Sequence, residues 1–144
     1  MMTSLKAMVC AAFGAIGGMI AHLFGGWTED MITLIIFMAI DFIMGLVVAG
    51  VFHMSTKSQS GALNSHAGWV GLCKKGVVLL FVLVAHRLDI LLGSDYIRTA
   101  TIIGFIANEV ISIVENAGLM GVPLPQVIVK AIEVLKHREE SNKE

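Results

Sequence analysis

Three of the four long apolar stretches in this chain carry an ionisable residue near their middle. Asp41 lies inside residues 31–53, His86 and Arg87 inside 76–92, and Glu109 inside 97–120. Each stretch is about 17 to 24 residues long, enough to cross a hydrocarbon core of about 30 Å at about 1.5 Å per residue. A charge at that depth costs about 2.5 to 3.5 kcal/mol on insertion scales, so it turns toward a partner or water and away from lipid. The pattern predicts a helix bundle with polar groups hidden in its interior.

Of the 144 residues, 56% are apolar, above the roughly 45 to 50% of ordinary soluble domains. With residues 5–26 as a first span, the expected fold is an all-α polytopic membrane protein of about four transmembrane helices. Residues 1–121 form the membrane domain. Residues 122–144 form a cytoplasmic amphipathic helix with a charged tail. The net charge of −1 conceals segregation. Lys6, Lys57, Lys74, Lys75, Lys130, Lys136, Arg138 and Lys143 fall on one side of a four-span topology, Arg98 on the other, and Arg87 within a span. The excess of positive residues makes the first side cytoplasmic, with both termini there. Three loop lysines do not make a nucleic-acid patch. Cys10 and Cys73 are far apart on a reducing side, so no disulfide is expected. The cysteines and histidines show no metal-ligand spacing, and no cofactor is expected. No small-x-small cleavage site follows the first run, so it is read as a span and not as a signal peptide.

In span one, Gly14 and Gly18 form GxxxG, and Gly17, Ala21 and Gly25 form a second ladder. Small residues at this spacing let helices approach closely, within one chain or between copies. Gly45 and Ala49 follow Asp41 by four and eight residues, so the three share a face that points to another helix. The segment 54–75 is rich in Ser, Gly and Lys and reads as a loop, with Trp69, Lys74 and Lys75 marking interfacial re-entry into span three. His86 and Asp89 share a face, while Arg87 either snorkels outward or pairs with Asp41 or Glu109. Thr101, Asn108, Ser112 and Glu115 form a stripe on span four, widened by Glu109 and Asn116. That stripe favours a span with a protein-facing or water-facing side over a surface helix, which would be richer in Lys and Arg. Pro123 and Pro125 break the chain before Leu124, Val127, Ile128, Ala131, Ile132 and Leu135 recur at helical spacing. The sequence carries no nucleophile elbow, P-loop or HExxH, so no enzymatic activity is expected.

From Asp41 to Leu135 the chain resembles phage holins of the toxin-secretion and lysis type, holin family 4. The resemblance rests on the Ser/Gly loop ending in GLCKKG, a span closing in AHRLD, and the run IRTATIIGFIANEVISIVENAGLMGVPLP. It implies a small protein of the bacterial cytoplasmic membrane that assembles with copies of itself into lesions. Those lesions would release or activate a muralytic endolysin, or serve export of a toxin. On that reading Asp41, His86, Arg87, Asp89, Asn108, Glu109, Ser112 and Glu115 form a polar belt that lines the lesion or pairs helices. Gly14, Gly17, Gly18, Ala21, Gly25, Gly45 and Ala49 then serve packing and assembly. Two other readings of the residues remain open at this point. One is a small ion channel or transporter with the belt as permeation site. The other is a membrane anchor subunit that docks through its C-terminal helix.

Overall fold

The computed structural model describes the backbone of residues 2–57 and 60–141, and the side chains of that set between 4 and 134. All regular structure among the described residues is helical. Four helices are long and apolar enough to cross a membrane, in agreement with the expected span number. The large apolar side chains that remain exposed, such as Leu5, Phe13, Ile43 and Leu91, suit a surface solvated by lipid.

Helix α1 (Met2–Leu23) ends earlier than the apolar run that encodes it. Gly25 and Gly26 take positive φ (79° and 98°) and turn the chain back, with the Gly26 amide donating to the Ala21 carbonyl at 2.7 Å. Gly25 is therefore in the turn and not on the helical ladder with Gly17 and Ala21. Helix α2 (Glu29–Val47) buries Met31, Leu34, Met38 and Asp41, one face at steps of three and four. It runs on into a π-helical turn (Val48–Phe52) with Val48 and Ala49 buried.

Helix α3 (Ser65–Leu92) begins eleven residues before the expected start of span three. Asn64 is the cause: its Oδ1 accepts from the amides of His66 (2.9 Å) and Ala67 (3.4 Å), satisfying the otherwise unpaired first turn. Much of the segment read as loop is thus helix, and Lys74 and Lys75 lie well inside it. Helix α4 (Ile97–Leu119) closely matches its expected range. Helix α5 (Gln126–Ser141) follows Pro123 and Pro125. The last three residues of the expected tail, and the side chains from residue 135 onward, lie outside the described residues.

Helix α4 is the centre of the bundle. It packs most extensively on α2, then on α3, while α2 and α3 touch much less and α1 forms no comparable interface. The dry core joins Met31, Leu34 and Met38 of α2 to Val82 of α3 and Ile102 of α4. All five sit in the half nearest the two tight turns, α1–α2 and α3–α4. The other half faces the α2–α3 loop, and there the interior is polar.

Candidate functional site

Asp41, midway along α2 and its π-helical turn taken together, meets three side chains from two other helices. Lys75 of α3 donates to its Oδ2 at 2.8 Å. Ser112 and Asn116 of α4 donate to its Oδ1 at 2.5 and 3.0 Å. Lys75 also donates to Glu109 Oε2 at 2.6 Å. Glu109, Ser112 and Asn116 are three and four residues apart, so α4 presents them as one stripe. One ammonium thus bridges two carboxylates, and all three side chains are largely buried (13% exposed for Lys75, 7% for each acid). Counting formal charges, the cluster is one negative charge in excess. Removing charges from water is offset only where each is closely paired and hydrogen-bonded, so the triad ties α2, α3 and α4 together while Lys75 stays in place.

The cluster forms the inner end of a cavity of about 610 Å³. Its walls are Gly45 and Ala49 of α2 and its π turn, Gly71 of α3 and Asn108 of α4. It extends to Ser55, Lys57 and Leu63 of the α2–α3 loop. The walls are open because the residues are small. A Cβ added at Gly45 or Gly71 would meet no atom within 4 Å. Gly45 and Ala49, expected to face another helix, line this space, and Ala49 is itself buried. Gly14, Gly17 and Gly18 also meet nothing within 4 Å at a Cβ position, so their faces are unpartnered within one chain.

At the tight-turn end a second network has a different character. Asp89 of α3 is buried and accepts from the Ser94 hydroxyl (2.6 Å) and from the amides of Ile97 (3.0 Å) and Arg98 (2.8 Å). It thereby supplies from a neighbouring helix the cap that α4 lacks locally, and places a negative charge at a helix N-terminus. Arg98 is buried too. Its Nε donates to the Phe24 carbonyl (2.6 Å), and its Nη2 to the Gly26 carbonyl (3.2 Å) and the Thr28 hydroxyl (2.9 Å). Asp30 lies 3.9 Å from Nη1. His86 is half-buried beside Gly25, where an added Cβ would fall 2.6 Å from the ring.

The expected belt therefore divides into two levels. Asp41, Glu109 and Ser112 come together, with Asn108 exposed at the cavity wall. Asp89 and His86 belong to the tight-turn end, about 21 and about 16 Å along α3 from Lys75 at about 1.5 Å per residue. Arg87 is exposed and sits twelve residues beyond Lys75, so pairing of Asp41 or Glu109 with Arg87 is replaced by pairing with Lys75. Glu115 is exposed. Sequence reasoning placed Asn116 on the polar stripe of α4 but missed Lys75 and Arg98 as members of these networks. The signal for Lys75 was the Asn64 cap, which extends α3 and moves that lysine from the flank into the span. Among the described residues no three His, Cys, Asp or Glu side chains converge as a metal site.

Residues 18–137 match the family model described as the bacteriophage holin family. The chain is 32% identical to a probable holin of Bacillus phage phi105 over 117 residues, 81% of this chain and 80% of that protein. It is 33% identical to an uncharacterized protein of Halalkalibacterium halodurans, covering 94% of this chain and 98% of the relative. An uncharacterized protein of Bacillus subtilis is 28% identical, over 85% of this chain and 81% of its own length. No solved structure matches the chain.

Proposed function

This chain belongs to the bacteriophage holin family, and from that membership we propose that it permeabilises the bacterial cytoplasmic membrane for lysis. In this reading it acts without catalysis. Four spans cross the host membrane with both termini in the cytoplasm, and α5 lies as an amphipathic helix at the inner surface. Copies accumulate and assemble into lesions through which a muralytic endolysin leaves the cytoplasm or becomes active; in a bacterial locus the cargo is an exported toxin.

The observation that carries the mechanism is the interior cluster of Asp41, Lys75, Glu109, Ser112 and Asn116. A lesion-former must be stable in lipid while dispersed, yet own polar surface that can later face water. Here that surface is present and internally paired. It abuts a cavity from the start, so opening requires α2, α3 and α4 to separate beside space that is already there. The face of α1 left unpartnered around Gly14 and Gly18 suits contact between copies.

The test is inducible expression in bacteria together with a cytoplasmic muralytic enzyme. Abrupt lysis, with the enzyme appearing outside the inner membrane, is expected. Depolarisation that leaves the enzyme inside would instead favour a small ion channel, and intact membranes would favour an anchor subunit.

A further inference from the structure

We propose that the lesion prefers cations while it is narrow, and that Asp41, Glu109 and Lys75 set this preference. The inference rests on the reading that the interior faces of α2, α3 and α4 become the lining. Its starting point is a count of charge. Lys75 bridges both carboxylates but neutralises only one of them. The other groups of the cluster, Ser112 and Asn116, are neutral, as is Asn108 on the cavity wall. At the level of the buried cluster each chain thus brings one excess negative charge.

Depth makes that charge effective. Asp41 and Glu109 each lie twelve residues from the tight-turn start of their helix, about 18 Å at about 1.5 Å per residue. That is near the middle of a core of about 30 Å. A ring of such charges between low-dielectric walls concentrates field in the lumen, and acidic rings favour cations. The cavity also has Lys57 and Lys74 on its walls, and both are exposed. Lys57 is near enough to act on Asp41, and Lys74 is one residue from Lys75, so both oppose the excess from the loop side; their exposure lets salt weaken them there. Screening also limits the effect in time. At physiological ionic strength the field fades over about 8 Å, so a lumen much wider than that no longer discriminates. A lesion that grows wide enough for an enzyme loses its preference as it widens.

The test uses the full-length protein in planar lipid bilayers under a potassium chloride gradient, read as the reversal potential of each conductance level. For the wild type we expect a several-fold preference for potassium over chloride at the smallest levels, declining as levels grow and as salt is raised. Glu109→Gln should abolish the preference, and the Asp41→Asn/Glu109→Gln double variant should reverse it. Lys75→Gln should strengthen it, and Lys74→Gln should change it little. Two further variants leave every cluster bond in place: Asn108→Asp should increase the preference and Asn108→Lys should cancel it. Reversal potentials that ignore Asn108→Asp and Asn108→Lys, or that move as far with Lys74→Gln as with Lys75→Gln, would overturn the inference while leaving the lesion reading intact. Absence of any conductance from the wild type would overturn the lesion reading itself, and this inference with it.

Discussion

The two ends of this bundle handle buried charge in opposite ways. At the tight-turn end, Asp89 and Arg98 are each met by several partners, and the adjoining core of Leu34, Val82 and Ile102 is dry. At the loop end one lysine serves two carboxylates beside a cavity of about 610 Å³. The first arrangement fixes geometry, because each backbone group at the start of α4 and in the α1–α2 turn that meets these side chains has its bond. The second is stable only as long as a single flexible side chain stays where it is. The difference places the fixed point of the molecule at the tight-turn end of the bundle and its changeable part at the loop end.

The largest effect is expected at Lys75. Lys75→Met leaves two buried carboxylates without their cation, which costs about 3 to 5 kcal/mol when one member of a buried pair is lost. Equilibrium unfolding in mixed micelles measures the loss, and the same variant should bring lysis forward. A cost smaller than that of Arg98→Leu would break the comparison, since the loop end would then not depend on its lysine.

Arg98→Leu comes next, at about 2 to 4 kcal/mol, for three donated bonds at a charged group. Its signature is local: amide exchange should accelerate in the Phe24–Thr28 turn and leave α2 near Asp41 unchanged. Gly25→Ala should cost about 1 to 2 kcal/mol, because φ of 79° disfavours alanine and the new methyl meets His86. Adding His86→Ala should recover the steric part only, a non-additive result that a double-mutant cycle reads directly. Ser112→Ala is expected to cost about 1 kcal/mol for one bond to Asp41, whereas Asn108→Ala, at the cavity wall, should be close to neutral.

Much of this was legible in the residues themselves. Apolar length gave the number of long apolar helices but not the start of α3, and α4 began and ended almost where its hydropathy said. Asp41 and Glu109 were expected near one depth, and they do share a partner. What the residues could not reveal was which helices are neighbours. Helical periodicity assigns a face to Asp41 but does not choose between Arg87 and Lys75 across the bundle. Lys75 was also read as a flanking charge, because the Gly- and Ser-rich stretch before it resembles a loop until the Asn64 cap is recognised. Asp89 misled for another reason. It caps a helix other than its own, through the amides of Ile97 and Arg98, and such a contact exists only once the α3–α4 turn has formed. The GxxxG of α1 was legible as a pattern, but its face meets nothing within a single chain.

The central claim is that the paired polar face between α2 and α4 is hidden lesion lining. Ser112→Cys tests it most directly, in a chain whose exposed Cys10 and Cys73 have been changed to serine. A membrane-impermeant thiol reagent is added outside cells before and after lysis begins. The account predicts no labelling of Ser112→Cys beforehand and rapid labelling at onset, as water reaches the former partner of Asp41. A cysteine that stays protected through lysis would contradict it.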